Sequence, residues 1–282
     1  MVATVAAFLG LLVALSYGAG DFFGGVSSRR VNPAIVALTS QLVGWSAVLV
    51  LVVLVSHHRP PLDDVVRGAL AGSVGLIGIF LLYRGLAAGV MSLVAPITAV
   101  GAAVLPVGWG LVGGEDPGVV RLVGVAVALV AVALVSSAPT AAAPVAGHSR
   151  EVVLALVAGA AFGVVFILMG DTSRASGMWP LLAARTASVA IVFLLLTARR
   201  IPKGVPAGAW PLLALTGLLD VTANALFLLA ARIGLVSLVA VISSLYPAST
   251  VLLARVVLHE RVGRRQQAGL ALAAVGVVLI AS

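Results

Sequence analysis

Of the nine acidic residues in this chain, Asp220 alone lies deep inside a long apolar stretch. Thr216, Asp220 and Asn224 stand at i, i+4 and i+8, so a helix carrying them presents one polar stripe. A charge at a bilayer centre costs roughly 2.5–3.5 kcal/mol, which is why such a residue faces a cavity or a partner. Arg185 is the second ionisable residue set well within an apolar run. It can pair with Asp220 or Asp171, snorkel to an interface, or line a pathway. Asp21 stands near the far end of the first apolar run and Gln41 within the second. Ser243, Ser244 and Tyr246 surround Pro247. A proline inside a helix frees a carbonyl that a nearby hydroxyl can satisfy, so these three have either a structural role or a binding role. These nine residues are the candidates for a substrate pathway. Glu115 and Glu260 have a simpler expectation: each precedes a helix, where an acid complements the dipole and caps open amides.

Other chemistries are absent from the residue inventory. The chain has no cysteine, and its four histidines (His57, His58, His148, His259) all fall between apolar runs. Neither a thiolate site nor a buried histidine metal site can be built, so no metal and no cofactor is expected. An intramembrane lipid-modifying enzyme needs a nucleophile–base pair or a carboxylate cluster, and a single deep acid forms neither. The single lysine, Lys203, lies between Pro202 and Gly204, so no phosphate loop exists to bind a nucleotide. The net charge of +8 is scattered over connecting segments without a basic, aromatic-studded cluster, which argues against nucleic acid.

The elements that must position these residues follow from composition. The chain is 62% hydrophobic and 9% charged, against roughly 25% charged in soluble domains. Its solvent is a bilayer. About 20 apolar residues span one, and ten segments fit: 3–25, 34–55, 67–83, 90–112, 121–137, 152–171, 179–198, 211–231, 235–257 and 267–281. Nine spans follow the first, whose leading residues 1–10 carry no Lys or Arg, so it reads as a span and not as a cleaved signal. Residues 138–150, rich in Ala and Pro, read as a linker between a first half (1–137) and a second half (151–282).

The halves resemble one another. Residues 83–137 lie over 228–282 without a gap at a shift of 145, with 17 of 55 positions identical. Gly89-x-x-Ser92-Leu93-Val94-Ala95 falls on Gly234-x-x-Ser237-Leu238-Val239-Ala240, and Glu115-x-x-Gly118 on Glu260-x-x-Gly263. At the same shift, the Gly10, Ala14, Gly18 ladder matches Ala155, Gly159, Gly163, small residues that allow close helix approach. Five spans per half is an odd number, which makes the second half enter from the opposite face: an inverted repeat. The polar stripe breaks the symmetry, since its counterparts are Ala71, Gly75 and Ile79.

Ten spans in two five-helix repeats, with Glu115 and Glu260 between the fourth and fifth helix of each, resemble the EamA-type transporters of the drug/metabolite transporter superfamily. Tyr83-Arg-Gly-Leu-Ala-Ala-Gly, Phe227-Leu-Leu-Ala-Ala-Arg-Ile-Gly, Pro247 and the opening Tyr17-Gly-Ala-Gly-Asp21-Phe-Phe-Gly-Gly carry the same likeness. The resemblance implies an all-α secondary transporter in a bacterial plasma membrane, acting as a monomer. It would export a small metabolite or drug-like molecule by alternating access, driven by a proton or counter-substrate. The competing reading is a non-transporting membrane scaffold. The resemblance also implies cytoplasmic termini. The positive-inside rule points the other way, because the face opposite the termini carries twice the Arg and Lys.

Overall fold

A computed structural model of the chain describes residues 2–28, 31–55, 59–87, 91–135, 149–198, 204–257, 259 and 263–282. The 138–150 linker lies outside them except for its last two residues, which begin a helix, and Glu260 lies outside them as well. Among the described residues the fold is entirely helical, with no strand.

The helices are α1 (Val2–Ser28), α2 (Pro33–Val55), α3 (Leu62–Ala87), α4 (Met91–Val112), α5 (Val119–Val135) and α6 (Ser149–Gly170). They continue with α7 (Trp179–Ala198), α8 (Trp210–Ile233), α9 (Val236–Ser243), α10 (Tyr246–Val257) and α11 (Arg264–Ala281). These eleven helices make ten spans, because α9 and α10 are two pieces of the ninth. The break falls just before Pro247. Pro247 has no N–H to return to Ser243, and the chain turns tightly there, with Leu245 N bonding to Ile242 O at 3.1 Å. The third span begins five residues before its expected start. Asp63 and Asp64 occupy its first turn, where carboxylates are favoured by the helix dipole.

Seven spans are long and apolar enough by themselves to cross a membrane, and none buries its apolar surface within the protein alone. Phe8, Val53, Val112 and Val278 remain 60%, 70%, 87% and 68% exposed. In water these faces would aggregate; in a bilayer they are solvated. The protein is a multi-pass membrane protein.

The tightest packing joins the two halves of the sequence. The closest neighbour of α1 is α8, of α3 is α6, of α4 is α6, and of α5 is α11. A shift of 145 residues exchanges the α1–α8 pair with α6–α3 and returns α5–α11 to itself. Glycines permit the closest approaches. A Cβ on Gly18 would stand 2.4 Å from Ser249 Cβ and Tyr246 O on α10, and one on Gly159 would stand 2.7 Å from Thr98 O on α4. Both repeat-related ladders therefore fit the first helix of one half against the fourth span of the other, where dispersion holds the backbones together.

Candidate functional site

The helix packing leaves a central cavity walled by α1, α2, α3, α4, α6, α7, α8 and α10. It offers about 170 Å³ to the centres of water molecules, where about 10–15 Å³ suffices for one. It is therefore roomy enough to hold water, and Asp21, an exposed residue, lies on its wall.

The second half supplies its polar wall. Asp220 Oδ2 lies 2.5 Å from Arg185 Nη2, and Arg185 Nη1 donates to Gln41 Oε1. The guanidinium thus ties α8 and α2 to α7. Of the partners open to Arg185, the structure selects Asp220, not Asp171, whose backbone oxygen instead accepts from Arg67 at 3.2 Å. The two members of the pair differ in surroundings: the Arg185 side chain is 6% exposed and that of Asp220 32%. Arg185 Nε is buried with no hydrogen-bond partner among the described residues.

The stripe exists as expected, and all of it faces the cavity. Asn224 Nδ2 donates to its own helix at Asp220 O (2.8 Å), and Thr216 Oγ1 to Leu212 O (2.9 Å). These bonds hold the two side chains flat against α8. The Asn224 carbonyl oxygen and the hydroxyl lone pairs of Thr216 remain to meet a ligand. Asp21 and Tyr246 also line the chamber, and Tyr246 meets Tyr17 edge to face at 6.4 Å. No cation pairs with Asp21 among the described residues.

Seven of the nine candidates (Asp21, Gln41, Arg185, Thr216, Asp220, Asn224, Tyr246) thus share one cavity. Ser243 and Ser244 stand apart from it, fully buried at the α9–α10 break. The Ser244 hydroxyl donates to Ala240 O at 2.8 Å, one turn back. Ser243 Oγ has no partner among the described residues. The sequence reading passed over Tyr17, Phe162, Phe166, Ser40 and Ser188, which also line the chamber. The repeat could have found two of them, Phe166 through Asp21 and Ser40 through Arg185. At the 145 shift Tyr17 corresponds to Phe162, Asp21 to Phe166, Ser40 to Arg185, and Ala71, Gly75 and Ile79 to the polar stripe. Every one of those positions faces the chamber. The two halves therefore contribute equivalent positions to the chamber, and only the second half's set carries the Thr216–Asp220–Asn224 stripe.

The end of the bundle holding both termini is closed by polar contacts. Buried Asp64 accepts from Ser176 Oγ (2.5 Å), Ser173 N (3.0 Å) and Arg67 Nη1 (3.0 Å), tying α3 to the α6–α7 connection. Arg232 Nη2 donates to Gly177 O at 2.6 Å. Glu115 also belongs to this end, and here its expected role is corrected. Its carboxylate does not cap α5, the helix that follows it. It accepts from Val236 N (3.1 Å) and the Ser237 hydroxyl, capping α9 in the other half. The Glu115 loop is tight enough to turn back, with Glu115 N bonded to Gly110 O at 2.8 Å, and this aims the side chain at α9.

Ten apolar spans around a charge-bearing chamber are the architecture expected of a membrane transporter. The family comparison agrees: the model of the EamA-like transporter family matches residues 149–282. The match covers a little under half of the chain, its second half. A solved structure described only as "Crystal structure of protein" superposes with a TM-score of 0.78 at 18% identity, over 98% of this chain and 96% of that one. This likeness extends the same fold across both halves. No curated protein matches the chain.

Proposed function

We propose that the protein is a secondary transporter that carries a small organic cation with an apolar body through the central chamber. The observation that carries this reading is the charge arrangement. Asp220 and Arg185 neutralise one another, which leaves Asp21 as the charge facing the cavity with no ion-pair partner among the described residues. Tyr17, Tyr246, Phe162 and Phe166 line the same chamber. A carboxylate with aromatic faces attracts an ammonium group through both Coulomb and cation–π terms. The alkyl part of such a substrate would rest on the wall of Ala71, Gly75 and Ile79. The same carboxylate can hold a proton when the substrate leaves, which gives proton exchange as the driving reaction.

In this reading the halves form an inverted repeat, and the chamber lies on the pseudo-twofold axis relating them. Access alternates between the two faces. The latch at Asp64 and the cap at Glu115 close the termini end in the state described, and both open when the chamber faces the other way. Because the closest packing joins the halves, rigid rocking of one half against the other would shear every such contact. Movement of the α3–α6 and α1–α8 pairs as units keeps the tightest contacts intact. The cargo moves out of a bacterial cell across its plasma membrane, and one chain suffices.

The test is a thermal-stabilisation screen of the purified chain with amines, amino acids and sugars, followed by flux of the hits in liposomes. A ligand that binds only the native state raises the melting temperature. Stabilisation by cationic amphiphiles, with flux lost in Asp21→Asn, supports the proposal. Stabilisation confined to anions or neutral sugars, or flux that survives both Asp21→Asn and Asp220→Asn, rejects it.

A further inference from the structure

A second cavity lies at the termini end, between α1, the start of α9 and the end of α11, and shares no residue with the central chamber. It offers about 440 Å³ to the centres of water molecules. Its floor is apolar, made by Ala3, Ala7, Leu235, Leu238 and Ile280 among others, and its rim carries Arg121, Arg174 and Arg232 with no acid in the lining. Three guanidinium groups at one mouth repel each other unless an anion lies between them.

The arginines are anchored, and each keeps donors to spare. Arg121 donates to Ser282 O at 3.1 Å, Arg174 to Arg232 O, and Arg232 to Gly177 O at 2.6 Å. A guanidinium carries five N–H donors, so none of the three arginines is saturated by these bonds. Arg232 Nε is buried and has no partner among the described residues. Of the acids at this end, Asp64 bonds Ser173, Ser176 and Arg67 and also acts through space on Arg232, and Glu115 bonds the start of α9. The site therefore pairs an arginine-rich rim, with no acid in its lining, with an apolar groove at the termini end of the bundle.

We infer that this cavity binds an anionic amphiphile, with its phosphate or carboxylate head between Arg121, Arg174 and Arg232 and its hydrocarbon chain along α1, α9 and α11. Arginine suits the head because its planar fork meets phosphate with paired hydrogen bonds. An uncharged or zwitterionic head leaves the rim uncompensated. A small inorganic anion leaves the apolar floor uncovered.

The experiment is native mass spectrometry of the full chain in neutral detergent, titrated in parallel with phosphatidylglycerol, phosphatidylcholine and inorganic phosphate. We expect one phosphatidylglycerol retained per chain, at a concentration at least tenfold below that needed for phosphatidylcholine. Arg121→Gln and Arg174→Gln, made singly, should each weaken retention at least fivefold. Ala3→Phe, which fills the groove and leaves the arginines in place, should weaken it as well. Cooperative thermal unfolding monitored by tryptophan fluorescence verifies that each variant is folded. Equal retention of the two lipids, or indifference to both arginine substitutions, overturns the assignment. Displacement of phosphatidylglycerol by equimolar phosphate also overturns it, since the chain would then contribute nothing.

Discussion

Asp220→Ala removes the carboxylate that neutralises Arg185 and leaves a guanidinium that is 6% exposed, held only by Gln41. Breaking a buried pair from one side costs about 3–5 kcal/mol, and an unpaired arginine at mid-bilayer about 2.5–3.5 kcal/mol. The two scales meet near 3 kcal/mol, the low end applying because Gln41 remains. At about 2–4 °C per kcal/mol for domains a little smaller than this one, the melting temperature should fall by about 6–12 °C. The reverse change is milder. Arg185→Met keeps the aliphatic stem and leaves Asp220 facing chamber water with a side chain 32% exposed, so about 1 kcal/mol is lost. The double variant should then be more stable than Asp220→Ala alone, because the stranded charge is gone. Thermal unfolding of the four proteins, followed by the fluorescence of the four tryptophans, reads the whole cycle. If Arg185→Met proves as damaging as Asp220→Ala, or if the two losses add, the asymmetric burial of this pair does not govern its energetics and the reasoning fails.

Three further outcomes follow from the packing. Gly18→Ala should cost about 1–3 kcal/mol by overpacking, since its new Cβ would stand 2.4 Å from α10. Gly25→Ala, which meets nothing within 4 Å, should stabilise the protein by up to about 1 kcal/mol through helix propensity; unfolding temperatures that rank the two alike would refute the close-packing account. Glu115→Ala should lower stability by about 1 kcal/mol and speed amide exchange at Val236 and Ser237, because the cap is lost; faster exchange at the start of α5 instead would restore the local-cap reading. Asp64→Asn should raise deuterium uptake across residues 171–178 and leave the middle of α7 unchanged, since Asp64 accepts from Ser173 and Ser176 there; unchanged uptake would mean that the latch does not hold this end shut.

Span positions were readable because a bilayer demands long apolar runs whatever the tertiary contacts. The tightest span boundaries, such as Asp63 and Asp64 in the first turn of α3, depended on polar groups whose partners lie far away in sequence. The same limit applied to Glu115. Its spacing marked it as a capping acid, but the helix it caps belongs to the other half, and only the folded chain brings α9 within reach. Asp220, Thr216 and Asn224 were legible because an amphipathic stripe is a local property of one helix. Tyr17 and Phe162 were not, since an aromatic residue in an apolar span looks the same whether it meets lipid, core or cavity. Ser243 and Ser244 illustrate the converse: proximity to a helix-breaking proline suggested a site, and the structure uses Ser244 to satisfy a backbone oxygen of its own turn.

Single-cysteine accessibility of Ile79→Cys tests the transport account most directly, in a chain with no native cysteine. Ile79 lies on the apolar wall of the chamber, at the position equivalent to Asn224. Alternating access predicts modification by a membrane-impermeant thiol reagent applied from either face of sealed vesicles, with a stabilising ligand protecting against both. Modification from one face only, unaltered by any ligand, would show a static cavity and contradict it.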